Sequence, residues 1–511
     1  MADARLATPG KAVIHSSVSP TLDALFGRSL ARQPDALALV DPADKPRVTG
    51  QPARRLSYAE ADRAIAALSA HFIEVGLPAN SVIAVQLPNT VELMLTVLAA
   101  HRAGLIVALL PLLWRQSELT MALNRTGARA IVTSKIIDGV AHADLALNAA
   151  VEAFSIRHVC GFGTDLPEGM ASLDLAMESQ SFTSRTVTQD GRRAAIISFD
   201  VTVDGFRAVP RTHLNLIAGA LAVFLESDVP QGATVLSAFA PTSFAGLACS
   251  LGLWLLSGGT LLLHHPFDNE TLGRQVQDHL CDTLVAPAPL ALRFDEAGMP
   301  ARFPSVRRYI GLWRAPEQVA TSPAWTHDRS SLTDVYLFGE VGLFGARRPA
   351  SGAAASILPG AHGAPRDVAG SSIAGETLIT PKGTLALRGP MVPIAAYAAS
   401  NFDADSLAPP EADLVDTGYS ARLDRSNGSL HITAPPAGIM SVGGYRFLAH
   451  DLGEWARRLG QGTLLTALPD RLNGHRLAGR APDNARAREA LAALGFNPLM
   501  IEAFRDRTGA A

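Results

Sequence analysis

Short apolar segments that alternate with helical patterns are the feature that most constrains the fold of this chain. Residues 82–87, 105–110 and 130–132 are almost wholly apolar, and helical patterns separate them. A strand that is apolar on both faces belongs in a parallel sheet that helices cover on both sides. The sequence therefore predicts an α/β fold.

The same alternation returns farther along the chain. Residues 215–226, 246–256 and 272–280 have helical patterns, and the apolar segments 234–238 and 260–263 lie between them. Two successive α/β units are therefore predicted.

The composition changes towards the carboxyl end. Gly, Ala, Pro and Ser dominate residues 349–372, which predicts loops and short strands. After Asp424 the pattern is one of short strands with one or two helices. We therefore expect a large N-terminal domain, residues 1–424, with two α/β subdomains and a β-rich subdomain. Residues 425–511 are expected to form a small, truncated α+β C-terminal domain.

Size and charge exclude several classes of protein. The 511 residues are enough for two to four domains, and 48% hydrophobic with 18% charged residues excludes a disordered chain. A net charge of -3 argues against nucleic acid as a partner. Among the 44 basic residues only Lys11, Lys45, Lys135 and Lys382 are lysines. All the other basic residues are arginines.

An uncharged stretch, residues 233–263, is long enough for a membrane span to be considered. Pro241 and the Ser257-Gly258-Gly259 turn interrupt it, so a buried helix followed by a buried strand is the favoured interpretation, and we expect no transmembrane segment. Three widely spaced cysteines and an N-terminus without an apolar signal-peptide core predict a cytoplasmic protein.

Several short motifs stand in the order and spacing of one known family. They occupy residues 56–60 (LSYAE), 76–86 (GLPANSVIAVQ), 87–89 (LPN), 99–104 (AAHRAG), 127–129 (GAR), 383–390 (GTLALRGP), 443–446 (GGYR) and 468–470 (LPD). Together they resemble the adenylate-forming superfamily of acyl- and aryl-CoA synthetases, luciferases and peptide-synthetase adenylation domains. The resemblance runs along almost the whole chain and identifies it as a divergent member with eroded catalytic motifs.

The resemblance implies a reaction and its cofactors. A carboxylic acid would be activated with ATP and Mg2+ to an acyl-adenylate and then transferred to a thiol, usually that of CoA. ATP or AMP, Mg2+ and CoA are thus the implied cofactors, and a small carboxylic acid or its CoA thioester is the implied ligand. The chemistry needs a loop around phosphate, cations, an acid for the metal and an acid for the ribose hydroxyls. The residues themselves give no cluster at metal-ligand spacing.

The family's Gly/Ser/Thr-rich phosphate loop aligns with residues 198–208 (SFDVTVDGFRA). Thr202, as a cofactor-binding residue, and Arg207, as a catalytic cation, are the only matches. Asp200 and Asp204 place negative charge beside a polyanion, which repels it. The favoured interpretation of this segment is a plain hairpin that turns at Asp204 and Gly205.

The family's metal-associated acid stands in a YG-x-TE motif, which corresponds to residues 336–342 (YLFGEVG). Glu340 is the best remaining catalytic acid and Gly339 a cofactor-binding position. A solvated loop carboxylate is the alternative interpretation of Glu340.

The family's TGD-x-GR-x-D segment aligns with Thr417, Tyr419, Arg422 and Asp424. Tyr419 replaces the ribose-binding aspartate, and a phenol cannot make the charge-assisted contact of a carboxylate with a diol. The first three are predicted cofactor-binding residues, and Asp424 is the predicted hinge between the domains.

Four residues at 443–446, Gly443, Gly444, Tyr445 and Arg446, resemble the GGYKV-type loop of the family's C-terminal domain and are predicted to contact the cofactor. The charged pair of the family's GR-x-x-D segment is absent from residues 434–440 (APPAGIM).

The substrate pocket and the adenylation lysine are the last two elements that the family implies. Phe244 and Trp313 align with its acid-binding segments and are the predicted pocket residues, with packing in the core as the favoured alternative. No terminal P-x-T-x-x-GK sequence is found, and Arg505 and Arg507 are the nearest cations there.

Two hypotheses about function follow from this pattern. In the first, the adenylate-forming fold has impaired or lost adenylation and acts as an acyl-, CoA- or nucleotide-binding or regulatory protein. In the second, it is an active acid-thiol ligase for fatty or aromatic acids with a divergent site. The sequence leaves a homodimer or another protein partner open.

Overall fold

Two helix-covered sheets form most of the computed structural model, which describes residues 19–178, 187, 190–363, 374–397 and 414–505. The predicted α/β fold is confirmed, because both sheets are mainly parallel and apolar side chains from both belong to one continuous buried core.

The first sheet has seven strands, and only its last pair is antiparallel. In spatial order the strands are Met170–Ser172, His158–Phe162, Ala130–Ser134, Val82–Gln86, Ile106–Leu109, Ala194–Thr202 and Gly205–Thr212. The sequence prediction placed three of these strands within one residue at their starts.

The second sheet has eight strands, and its outermost pairs at the two edges are antiparallel. In spatial order they are Gly342–Arg347, Ser331–Phe338, Arg308–Trp313, Thr283–Pro287, Thr234–Ser237, Thr260–Leu263, Leu37–Val40 and Arg55–Ser57.

Antiparallel strands dominate the remainder of the chain. A five-stranded sheet contains Gly360–His362, Gly375–Ile379, Thr384–Arg388, Leu414–Leu423 and Leu430–Ala434. Two hairpins follow, Ile439–Val442 with Tyr445–Leu448 and Leu464–Asp470 with Gly474–Arg480. Residues from Val442 to Phe504 have a hydrophobic core of their own. The predicted boundary at Asp424 stays a prediction, and strand pairing carries the five-stranded sheet on to Ala434.

Helices cover the sheets and the terminal hairpins. The α-helices are Leu22–Arg32, Lys45–Thr49, Tyr58–Glu74, Val91–Arg102, Gln116–Thr126, His142–Glu152, Leu173–Glu178, His213–Glu226, Phe244–Leu247, Leu253–Ser257, Asn269–His279, Ala288–Glu296, Met299–Arg302, Ile394–Tyr397, Ala449–Leu459, Asn484–Ala493 and Pro498–Glu502. A π-helical turn covers Ala248–Gly252, and a 3₁₀ turn covers Pro316–Thr321.

Local sequence signals explain where several helices begin. Ser57 and Glu60 form a reciprocal capping box, in which the Glu60 amide donates to the Ser57 hydroxyl at 3.2 Å and the Ser57 amide donates to the Glu60 carboxylate at 2.8 Å. Thr212 caps the helix His213–Glu226 in the same way with Asn215. These caps satisfy amides that a helix start leaves without partners.

The uncharged stretch 233–263 contains two strands with helical residues between them, as predicted, but the helix is interrupted. The π-helical turn Ala248–Gly252 separates the two short α-helices of this stretch. Within the described part of the chain, no helix is both long and apolar enough to cross a membrane.

Candidate active site

A regular hairpin occupies the segment that aligns with the phosphate loop. Strands Ala194–Thr202 and Gly205–Thr212 pair over their length, with Asp200 opposite Arg207 and Thr202 opposite Gly205. The predicted hairpin is confirmed, but the turn residues are Val203 and Asp204, one position earlier than predicted. Gly205 resumes the strand with a φ of +101°, which glycine adopts without steric cost.

The two matched residues of this segment bond within the hairpin. The Arg207 guanidinium donates to the Asp204 carboxylate at 2.8 Å and to the Thr202 hydroxyl at 3.3 Å. A third bond, at 3.0 Å, joins Arg207 to the carbonyl of Ala396. These contacts use donors that a bound phosphate would otherwise need.

Aromatic rings on the hairpin face a cavity. Phe199 and Phe206 stack with ring centroids 5.3 Å apart, and Trp114 packs against them at 5.1 and 5.7 Å. All three residues line a cavity of about 470 Å³. We call these three rings the aromatic wall. It offers apolar surface on the side of the cavity where the family's phosphate loop would lie.

Glu340 follows the strand Ser331–Phe338 and is buried at the edge of the same cavity. Its carboxylate accepts hydrogen bonds from the Ser198 hydroxyl at 2.5 Å and from the Phe244 amide at 3.0 Å. Burial raises the pKa of Glu340 to about 7, although the nearby charge of Arg211 and the Ser198 hydrogen bond act to lower it. The alternative of a solvated loop carboxylate does not match this burial.

Arg211 fixes the backbone that carries Glu340. Its buried guanidinium donates to the carbonyl of Glu340 and, at 2.8 Å, to the carbonyl of Met391. The same group stacks on the ring of Phe244, 3.8 Å from its centroid. Arg211 therefore ties the hairpin to the turn at Glu340.

An ion pair closes the space between the hairpin and the C-terminal hairpins. Arg446 donates to the Asp200 carboxylate at 3.0 Å and to the Tyr419 hydroxyl at 2.7 Å. Asp200 also accepts from the Glu340 amide at 3.1 Å. We call Asp200, Tyr419 and Arg446 the central network. The Arg446 guanidinium lies against Gly339, where a Cβ would overlap it.

The C-terminal residues form the other side of the cavity. Gly443, Gly444, Tyr445 and Arg446 all line it, and Asn497 donates to the carboxylate of Glu118 at 2.6 Å. Gly443 has a φ of +60°. The predicted GGYR loop therefore lies beside the hairpin and Glu340.

Comparison of the chain with protein-family models shows which family it belongs to. The model of the AMP-binding enzyme family matches residues 26–341, which is more than half of the chain. The chain belongs to this family. Membership implies ATP or AMP, Mg2+ and CoA as the family's cofactors.

Individual relatives agree with this membership. The chain is 27% identical over 206 residues to the salicyl-AMP ligase / salicyl-S-ArCP synthetase of Mycobacterium tuberculosis, a match that covers 40% of this chain and 35% of that protein. It is 27% identical over 183 residues to the medium-chain fatty-acid–CoA ligase of Escherichia coli, which covers 35% of this chain and 32% of that ligase. The matched regions thus span about a third of each relative.

A solved structure has the same fold. The apo structure of MbtA from Mycobacterium smegmatis superposes with a TM-score of 0.64 and 18% identity, and the match covers 94% of this chain and 90% of that one. At this identity the likeness supports the fold alone.

The remaining predicted residues of this family member lie apart from the cavity lining. Thr417 is buried and donates to the carbonyl of Leu385 at 2.7 Å, Arg422 is exposed on its strand, and the Asp424 carboxylate accepts from the Ser426 amide at 2.8 Å within a turn. Arg507 lies outside the described residues.

The two predicted pocket residues are both packed in the core. Phe244 lies under Arg211, and the indole N–H of Trp313 donates to the buried Asp334 carboxylate at 2.8 Å. Trp313 also lines a second cavity, of about 250 Å³. The substrate role of these two residues stays a prediction.

The sequence interpretation missed three residues of the site. They are Ser198, Arg211 and Arg314. Arg314 had one available signal, because it lies in residues 311–316 (GLWRAP), the stretch with Trp313 that aligns with a family segment of the type GGAP. An arginine among expected glycines indicates a changed pocket. Arg211 and Ser198 had no such signal, because their partners are distant in sequence.

We expect the stability contribution of Glu340 to fall as pH rises. The folded pKa of about 7 lies above the ordinary value of 4.5, so the folded protein holds this proton more tightly than the unfolded chain. The contribution is complete below pH 4.5 and disappears as pH rises through 7, a change of about 2 kcal/mol between pH 5 and pH 8. Urea unfolding of wild type and Glu340→Gln over this range measures it.

The matched control is Glu296→Gln, at an exposed position. The difference in free energy of unfolding between wild type and this variant should stay constant with pH. If the difference between wild type and Glu340→Gln is constant as well, the raised pKa of Glu340 is contradicted.

Proposed function

We propose that adenylation is impaired or lost in this member of the family, and that the chain acts as a binding or regulatory protein for an acyl or aryl ligand. The observation that carries the proposal is the central network. Arg446 donates to both Asp200 and Tyr419 where the resemblance would place phosphate and ribose contacts.

The residues present do not fit a bound nucleoside triphosphate. The family's loop surrounds phosphate with backbone amides and small side chains. Here the aligned segment forms two antiparallel strands, and many of its backbone amides are used in pairing these strands. The buried Asp200 carboxylate adds negative charge at the same place, and Arg207 is already paired with Asp204. These features support loss of the ATP-dependent step.

One observation favours the second candidate function, an active acid-thiol ligase. Glu340 is a buried acid with a pKa of about 7 at the edge of the cavity, and such perturbed acids cluster at catalytic sites. Its three contacts with Ser198, Phe244 and Arg211 explain its position structurally, so this observation carries less weight than the central network.

A pyrophosphate assay separates the two candidates. Purified protein is given Mg-ATP, CoA and salicylate, octanoate or decanoate, and pyrophosphate release is followed beside the medium-chain fatty-acid–CoA ligase of Escherichia coli. We expect release at least about 10³-fold slower than that ligase, because loss of a single charge-stabilising group already costs about 10²–10³. Calorimetry with Mg-ATP should show no binding in the micromolar range.

The matched control is Glu340→Gln, which keeps the size of the side chain. If the residual pyrophosphate release does not depend on Glu340, this variant will release pyrophosphate at the wild-type rate. Release by the wild type within about tenfold of the comparison ligase, abolished in Glu340→Gln, would instead establish the active-ligase alternative. The domain division at Asp424, its hinge role and a cytoplasmic location stay part of the proposal.

A further inference from the structure

Arg314 lies between two cavities. It follows the strand Arg308–Trp313 and lines both the cavity of about 470 Å³ and the second one of about 250 Å³. Its guanidinium stacks on the ring of Phe239, 4.1 Å from the centroid. Gly444 also lies close to it, since a Cβ at this position would come within 3.1 Å of the guanidinium carbon. The ring of Phe239 covers a flat face of the guanidinium, and the N–H groups at its edge are left to meet a ligand.

The charge of Arg314 has no carboxylate counterpart among the described residues. No described acceptor forms a hydrogen bond with it either, and its electrostatic contacts are with the aromatic residues Phe239 and Tyr445. Burial lowers the pKa of Arg314 to about 10, so it is still protonated at neutral pH. A partly buried cation without an anion is costly, and such groups are usually paired or ligand-binding.

Three of the four carboxylates that line the larger cavity have donors of their own, and the fourth, Asp451, is exposed with the His450 ring 3.7 Å away. Asp200 pairs with Arg446, and Glu118 accepts from Asn497. Glu340 accepts from Ser198 and from a backbone amide. The charges of Asp200, Glu118 and Glu340 are therefore largely satisfied without Arg314, which is left as the lining cation without a carboxylate partner among the described residues.

The walls near Arg314 suit an apolar body. The aromatic wall lines the larger cavity, and Trp455 and Phe496, with ring centroids 4.4 Å apart, line it from the C-terminal side. A volume of about 470 Å³ is in the range of small-molecule sites. The guanidinium fork matches a carboxylate with two parallel hydrogen bonds.

We propose that Arg314 is an anion receptor that holds the carboxylate of an aryl or acyl acid as an ion pair, with the apolar body against the aromatic wall. This inference rests on the proposed binding function and names its ligand class and its anchoring residue. The acid is bound as an ion and no covalent step is involved.

Calorimetry tests the proposal with four probes, benzoate and octanoate and their uncharged amides. Wild type should bind each carboxylate at least about tenfold more tightly than its amide, since a charge-assisted pair of this kind is lost with the charge. Arg314→Gln should remove this preference, and Arg314→Lys should restore part of it. Arg307→Gln, at an exposed position beside the same strand, should behave as wild type.

Results of two kinds would overturn the proposal, one kind in the wild type and one in a variant. One is equal binding of carboxylate and amide by the wild type, or no binding of either carboxylate, and this measurement does not depend on any variant folding. The other is an unchanged preference in a folded Arg314→Gln protein. Fast pyrophosphate release would contradict the loss of adenylation but leave the ion pair at Arg314 intact, so the two failures are distinguishable.

Discussion

Replacing Arg211 with alanine is expected to lower the free energy of unfolding by about 3–5 kcal/mol. Two buried carbonyls, those of Glu340 and Met391, lose their charged donor, and each unpaired group costs about 1–3 kcal/mol. The ring of Phe244 also loses the cation stacked at 3.8 Å. Equilibrium urea unfolding at neutral pH, with the midpoint and slope fitted separately, measures the loss.

The variant Arg192→Ala is the matched control, because Arg192 is exposed just before the same hairpin. It should change stability by less than about 0.5 kcal/mol. The pKa of Glu340 should also rise in Arg211→Ala, because the positive charge that lowers it is gone. A loss below about 1 kcal/mol would mean that Arg211 does not hold the turn at Glu340.

The sequence predicted the fold well where the signal is local. The apolar strands Val82–Gln86 and Thr260–Leu263 and the helix His213–Glu226 each depend on residues close together in the chain. The hairpin in place of a phosphate loop was also predictable, because Asp204 and Gly205 are turn residues between two strand-like segments.

The site was only partly predictable, because its partners are far apart in the chain. Arg446 and Asp200 are separated by 246 positions, and Arg211 and Glu340 by 129. Motif matching assigned Arg446 to cofactor binding. No property of the sequence showed that Asp200, in the phosphate-loop segment, would form an ion pair with it. The position of a side chain in a long-range pair follows from tertiary packing.

Lys45 gives the second large expected effect. Its ammonium is fully buried and lies 2.6 Å from both the Asp41 and the Glu92 carboxylates, with Arg54 at 3.6 Å from Glu92. Lys45→Met would leave two buried carboxylates with one partly exposed cation, so we expect a loss of about 3–5 kcal/mol at pH 8. Lys45→Arg should also destabilise, because a planar fork does not fit between two carboxylates spaced for an ammonium.

The penalty of Lys45→Met should shrink as pH falls. Burial and the charge of Glu92 raise the pKa of Asp41 to about 6, while Lys45 lowers it, so its removal raises this pKa further. At pH 5 Asp41 in the variant is then protonated when folded, and one of the two unpaired charges disappears. Lys382→Met, at an exposed turn, should change stability by less than about 0.5 kcal/mol at both pH values. A loss of stability in Lys45→Met that is equal at pH 5 and pH 8 would contradict the coupling between Lys45 and Asp41.

The same geometry explains why a chain with so few lysines has one at position 45. A compact ammonium reaches two buried carboxylates at 2.6 Å, and the planar guanidinium of an arginine does not.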